Sequence, residues 1–251
     1  MDIIRVLDLE TTGFQPPEAE IIEIGWTDVV LRPTGPVVVQ EPFSLLVRPE
    51  RPVPPETSAI HHLVDADLTS GLLLKDAIEI ATYPKGARII AFAAHNAKFE
   101  RLFLSGLLPA DMPWICTWKA ALARWPDAPG HGNQVLRYWL DPHGLDRGIA
   151  QPAHRAGPDA YATAFTLREL LRAGDTVEDL VRITENPALL PRVPFGHSKG
   201  MRWAEVDDGF LYWVLERDFD ADVIHTARTE LDHRLAERRR EAEARAAAEA
   251  S

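Results

Sequence analysis

Residues 3 to 10, IIRVLDLE, are an apolar run that ends in two carboxylates, Asp8 and Glu10, and then breaks at Thr11, Thr12 and Gly13. A short apolar run closed by a tight turn reads as a strand. Residues two apart on a strand project from the same face. Both carboxylates therefore stand side by side at a strand end, which is how hard cations are held.

Residues 21 to 31 and 37 to 48 read as two more strands, joined to the first by short connections that favour antiparallel pairing. After this meander, ARIIAFAA (87 to 94) and WICT (114 to 117) alternate with helical stretches near 72 to 82, 97 to 107 and 118 to 125. Such alternation implies parallel crossovers. Asn133 to Leu140 and Ala156 to Ala173 are further helices, the second opening with Pro158 in its first turn and closing before Gly174. The expected fold is α/β: a ribonuclease-H-like mixed sheet of five strands flanked by helices, with a small C-terminal annex. A short helix around 176 to 184 leads into the proline-bearing NPALLPRVPFG, which marks the edge of the main domain. The expected division is a main domain over 1 to 190, an annex over 191 to 233 too small for its own core, and a tail over 234 to 251. The tail is dominated by Ala, Glu and Arg, with opposite charges four apart such as Glu241 and Arg245. It lacks an apolar face and reads as a solvated helix.

Composition narrows the functional classes. Nowhere are about 18 apolar residues consecutive, and MDIIRVLDLE has neither the basic region nor the apolar stretch of a secretory leader. A soluble, cytoplasmic protein with no membrane partner is expected. The single cysteine, Cys116, excludes an internal disulfide and a thiolate-rich zinc cage, and reads as a buried thiol. The formal net charge of -11 opposes the basic footprint usual for nucleic-acid binding, so any such binding is expected to be weak and salt-sensitive. Divalent ions on an acidic cluster would neutralise part of that charge.

Two further segments extend the acidic set. Glu100 in AHNAKFE adds a carboxylate from a helix start, and HRAGPD adds His154 and Asp159 just before a helix. An oxygen-rich cluster with one histidine suits Mg²⁺ or Mn²⁺ and phosphate chemistry better than zinc. Phosphodiester hydrolysis needs an activated water and stabilisation of the phosphoryl and departing oxygens, which two ions roughly 3.5 to 4 Å apart supply. On this reading Asp8 bridges both ions, Glu10 and Asp159 hold the nucleophile-side ion, and Glu100 serves the leaving-group ion. His154 is the general base, since an imidazole titrates near working pH. Plainer explanations exist for each piece: an acidic pair at a strand end is often merely exposed, and Asn96 caps the helix carrying Phe99 and Leu102. What outweighs them is that three segments fall in order, each at an element end.

LDLETTG, HNAKFE and HRAGPDA resemble the three motifs of the DEDD exonuclease superfamily in its histidine-containing branch. PETSAIHHLVDADL, PWICTWKAALARWPD and the stretch from FGHSKG to YWVL are similar to its bacterial exodeoxyribonuclease X group, so that the resemblance covers roughly residues 3 to 218. It implies a 3′-to-5′ exonuclease that uses two Mg²⁺, or Mn²⁺, and releases 5′-mononucleotides from DNA 3′ ends, with single strands favoured. It implies Asp8, Glu10 and Asp159 as metal ligands, Glu100 at the fourth carboxylate position and His154 as base. Polymerase proofreading subunits share the first part, which implies a polymerase or repair partner. The family usually has Asp where this chain has Glu100, and one extra methylene moves the carboxylate by about 1.5 Å. Water-mediated coordination absorbs such a shift. Its relatives are also richer in lysine and aromatic residues at FGHSKG.

Around the ligands, Thr11, Thr12 and the backbone of Gly13 are expected to position the terminal sugar, and Phe14 to wedge or stack a base. His61 is expected to touch the terminal nucleotide, and Asn96 also lies on the substrate side. Trp203, Phe210, Tyr212 and Trp213 read as core packing, while Lys199, Arg202 and Arg192 form a basic cluster able to grip phosphates. Two rival functions remain. One is an RNA exonuclease with the same five residues, separable only by contacts to the 2′-hydroxyl. The other is a catalytically weakened nucleic-acid or polymerase-binding module, with Glu100 as the sign of decay.

Overall fold

The N-terminal apolar run forms β1 (Asp2–Thr11), which pairs antiparallel with β2 (Ile21–Leu31). The computed structural model describes every residue except 33, 34, 36, 84, 85, 250 and 251, the last two falling within the expected tail. Two short strands, β3 (Val38–Val39) and β4 (Phe43–Leu46), both pair antiparallel with β2. Next comes β5 (Arg88–Ala94), parallel to β1, and then β6 (Trp114–Cys116), parallel to β5. The sheet order is β3-β2-β1-β5-β6, with β4 beside β2. It is the expected mixed ribonuclease-H-like sheet, with six strands in place of five. The extra strand arises because the stretch 37 to 48 is divided at Gln40, Glu41 and Pro42, and proline has no N–H to give to a ladder.

Among the described residues, eight helices surround the sheet: α1 (Pro55–His61), α2 (Asp65–Leu68), α3 (Leu74–Thr82), α4 (Ala97–Phe103), α5 (Thr117–Arg124), α6 (Asn133–Leu140), α7 (Ala156–Arg172) and α8 (Val177–Glu185). The first two were not anticipated as complete helices, and α4 stops short of the expected 107, where the chain turns through Gly106 at φ 75°. One face of the sheet packs Leu7, Leu9, Ile24, Trp26 and Phe92 against α3 and α4. The other packs Ile4, Val6, Val29, Ala91 and Ile115 against α5, α7 and α8. Burial of a side chain such as Ile4, Leu167 or Leu170 contributes roughly 1.5 to 3 kcal/mol. Because side chains alternate along a strand, Asp8 and Glu10 continue the row of Ile4 and Val6. The row that anchors the core beneath α7 thus carries the two carboxylates beyond it.

Packing divides the chain into Met1–Glu185 and Asn186–Ser251, slightly before the expected boundary near 190. The second unit contains a 3₁₀ turn at Trp203–Glu205, then α9 (Asp208–Leu215) and α10 (Ala221–Glu249). It has a core of its own, contrary to expectation. Val193, Trp203, Val206, Leu211 and Val214 are closed over by Val223, Ala227 and Leu231 of α10. The last three recur every four residues, an apolar stripe that supplies what the aromatic helix alone lacks. Beyond it, residues 235 to 248 of the same helix are exposed. No helix among the described residues is long and apolar enough to cross a membrane.

Candidate active site

Asp8 and Glu10 from β1 meet Asp159 from the first turn of α7, each offering a carboxylate oxygen within 4.8 Å of the others. Among the described residues this is the one group of three or more His, Cys, Asp or Glu close enough to share an ion. Asp159 is held firmly. The His154 backbone N–H donates to its Oδ2 at 2.6 Å, Gln134 Nε2 donates to its Oδ1 at 2.6 Å, and Asn133 Nδ2 donates to its carbonyl at 3.1 Å.

Glu100 lies in the first turn of α4, only 4% exposed, and its Oε2 has no hydrogen-bond partner. It stands outside the group of three, yet the charges interact. Burial, reinforced by the neighbouring carboxylates, pushes Glu10 and Glu100 up to about 8. Burial first, then Asp159, Glu100 and Glu10, hold Asp8 well above the usual carboxylate range. Asp159 is also raised by burial, against the opposing bonds from His154 and Gln134. Carboxylates crowded in this way resist ionisation unless a cation joins them. An all-oxygen donor set with an orphaned buried carboxylate oxygen fits a hard divalent ion.

His154 is exposed and adopts a left-handed backbone at φ 59°. It is fixed from both sides. Its own N–H binds Asp159, and the next residue, Arg155, donates through Nε and Nη2 to Glu23 at 2.8 and 2.9 Å, while the Ala156 N–H reaches the same carboxylate at 3.1 Å. Glu23 is buried on β2 directly across from Glu10. Gly25, across from Asp8, lets α7 approach β2 so closely that a Cβ there would lie 2.1 Å from the Ala156 carbonyl carbon. The sequence reading overlooked Glu23, Arg155, Asn133 and Gln134. The signal for Glu23 was present, since a carboxylate inside the apolar run IIEIG needs a buried partner. Nothing in the sequence marks Gln134.

The remaining residues of interest differ in availability. The hydroxyls of Thr11 and Thr12 brace the turn: Thr11 Oγ1 donates to the Gly13 carbonyl at 2.6 Å, and Thr12 Oγ1 accepts the Glu20 N–H at 2.8 Å while keeping its own O–H to donate. Gly13 is half-buried beside them, and Phe14 is 79% exposed. His61 is buried, with Nδ1 accepting the Leu63 N–H and Nε2 unpartnered. Burial holds its pKa below the usual value, against the pull of Glu23. Asn96 occupies the N-cap position of α4, but its exposed side chain makes no capping bond, because its backbone (φ -121°, ψ 71°) departs from extended cap geometry. Cys116 is buried, as expected. In the second unit Trp203 and Phe210 join the core, and Trp213, 40% exposed, packs its ring on Phe195, Phe210 and Phe219 at its edge, whereas Tyr212 is 49% exposed, away from the core position expected of it. Arg192 donates to the Gly200 carbonyl, and Lys199 and Arg202 are exposed.

A family model described as Exonuclease, that of RNase T, matches residues 6–167. Exodeoxyribonuclease 10 of Escherichia coli (strain K12) is 33% identical over 218 residues, covering 84% of this chain and 90% of that protein. DNA polymerase III subunit epsilon of Salmonella typhimurium is 34% identical over 155 residues, 54% of this chain and 60% of that protein. Among solved structures, Exonuclease X in complex with 5′ overhanging duplex DNA matches with a TM-score of 0.58 and 33% identity, over 73% of this chain and 99% of that one. The matched span of the family model contains Asp8, Glu10, Glu100, His154 and Asp159. Family model, relatives and acidic cluster agree, and the chain belongs to the RNase T family of exonucleases as a metal-dependent phosphodiester hydrolase.

Proposed function

We propose that the protein is a 3′-to-5′ DNA exonuclease that employs two Mg²⁺ ions, replaceable by Mn²⁺, and releases 5′-mononucleotides. The observation that carries this reading is the convergence of Asp8, Glu10 and Asp159 within 4.8 Å, with buried Glu100 acting on the same charges. When bound, divalent ions acidify the attacking water and stabilise charge on the phosphoryl and departing oxygens. Asp8, whose charge interacts with those of Asp159, Glu100 and Glu10, would be the carboxylate shared by both ions. Glu10 and Asp159 would hold the nucleophile-side ion and Glu100 the leaving-group ion, and water-mediated coordination would absorb the extra length of Glu100. His154, an exposed residue whose backbone N–H is tied to Asp159, would take the proton of the attacking water.

On the substrate side, Thr11 and Thr12 hold the turn that would present the Gly13 backbone to the terminal sugar. Phe14 offers an exposed ring for base stacking. His61 carries its proton on Nε2, because Nδ1 is an acceptor, and can donate it to a terminal nucleotide; the exposed amide of Asn96 is a second polar contact. Similarity to Exodeoxyribonuclease 10 and to an exonuclease solved with DNA favours DNA over RNA. Relatives named as polymerase subunits favour a polymerase or repair partner. With a net charge of -11, the enzyme releases its single strand after few cuts unless such a partner tethers it.

The test is digestion of a 5′-labelled single-stranded DNA and its RNA counterpart with Mg²⁺. The expected result is a ladder shortening from the 3′ end, faster on DNA and absent with Asp8→Ala. Faster cutting of RNA would replace the DNA reading. Immediate release of labelled mononucleotide would mean attack from the 5′ end and sink the proposed direction.

A further inference from the structure

The carboxylate of Asp159 is gripped from outside its own helix. Gln134 Nε2 donates to Oδ1 at 2.6 Å, and Asn133 Nδ2 lies 3.4 Å from the same oxygen. The two ends of a glutamine amide have nearly the same shape, so its orientation is decided by what each end meets. The other end of Gln134 meets Arg137, whose Nη1 donates to Gln134 Oε1 at 3.0 Å. A guanidinium has donors only. The glutamine carbonyl must therefore face Arg137, and its NH₂ must face Asp159.

Arg137 is itself immobilised. It is 4% exposed, donates to the Ala150 carbonyl at 2.7 Å and the Arg147 carbonyl at 3.4 Å, and has its guanidinium carbon 4.8 Å from the centroid of the Tyr138 ring. Its three acceptors are neutral, and its charge favours the ionised form of Asp159. Residues 134 and 137 are three apart on α6 and so share a face. Gln134 bonds Asp159 and Arg137 and has no further role in the loop that Arg137 pins.

We infer that Gln134 and Arg137 are positioning residues that aim the Asp159 carboxylate at the ion site. The inference rests on the proposed reading of Asp159 as a metal ligand. With Oδ1 held by Gln134 and Asn133 and Oδ2 by the His154 N–H, the carboxylate cannot rotate, yet Oδ2 keeps a lone pair for an ion. A ligand fixed beforehand loses less freedom when the ion binds, and loss of such an outer partner lowers metal affinity by about 10- to 100-fold.

The test is Mn²⁺ titration of the full-length chain, followed by calorimetry and by melting temperature, in wild type, Gln134→Met, Arg137→Met and Asp8→Ala. Gln134→Met preserves length without the amide. It should melt near the wild type when ion-free, yet need about 10- to 100-fold more Mn²⁺ for half-saturation. Arg137→Met should move half-saturation the same way and also lower the ion-free melting temperature, because the 147 to 150 loop loses its pin. If Gln134→Met destabilises the ion-free fold, Gln134→Asn replaces it, polar but one methylene too short to reach Asp159, with the same rise expected. Unchanged half-saturation in the Gln134 variant overturns the inference while leaving the metal site intact. Absence of any Mn²⁺ response in wild type, or an undiminished one in Asp8→Ala, overturns the metal-site reading and the inference with it.

Discussion

Burial and like charge push Glu10 and Glu100 up to about 8, so the ion-free fold favours their protonated forms. An unfolded glutamate titrates near about 4.3. The folded state therefore binds these protons more tightly, and the stability they contribute is complete below about pH 4.3 and is lost as pH rises through about 8. In chelator, the melting temperature should fall between pH 6 and pH 9, and fall less in Glu10→Gln; saturating Mn²⁺ should flatten the slope. Rising stability over that range in chelator would contradict the charge crowding described above. The proposed ligands stood out in sequence because each sits at an element end beside a turn or helix start. Their supports were not, because the bonds are remote: Glu23 meets Arg155 across 132 positions and Gln134 meets Asp159 across 25. Only a fold brings such pairs together.

Among the elements, β1, β2 and α7 do most to build the site. The strand row Ile4, Val6, Asp8, Glu10 runs from the core to the acidic cluster, and the row on β2 offers Gly25 and Glu23 opposite the two carboxylates. Gly25→Ala would put a methyl 2.1 Å from the backbone of Ala156, where no side chain can yield. Overpacking costs typically about 1 to 3 kcal/mol, and a clash with backbone belongs at or above the upper end. The variant should lose about 3 kcal/mol or more in denaturant unfolding, together with Mn²⁺ binding, as α7 shifts Asp159 away. Wild-type stability in this variant would mean that α7 does not lie where it is described. The strands and most helices were legible from apolar periodicity. The division of residues 37 to 48 into two strands was less so, because Val38, Val39, Phe43, Leu45 and Leu46 form one nearly continuous apolar pattern, and only Pro42 hints at the break.

On the scale of the whole molecule, the exonuclease match and every proposed ligand lie within Met1–Glu185, which contains both principal cores of the sheet. The unit Asn186–Ser251 closes around its own aromatic and aliphatic cluster. That second core was hidden because α10 joins an apolar stripe at 223, 227 and 231 to a long charged segment, and the charges dominate its composition. The acidic balance of the chain also acquires a partial physical account, since the crowded carboxylates at the site call for cations. Those carboxylates are expected to act only through divalent ions. The most direct measurement is the cleavage rate of a 5′-labelled single-stranded DNA against Mg²⁺ concentration for the full-length wild type, Asp8→Ala and Glu100→Asp. Cleavage should vanish in chelator, saturate with Mg²⁺ in the wild type, and fall in Asp8→Ala by more than the roughly 100-fold upper limit for loss of an outer partner. Glu100→Asp should remain active. Cleavage that persists in chelator, or a wild type that cuts only after Glu100→Asp is introduced, would contradict these expectations.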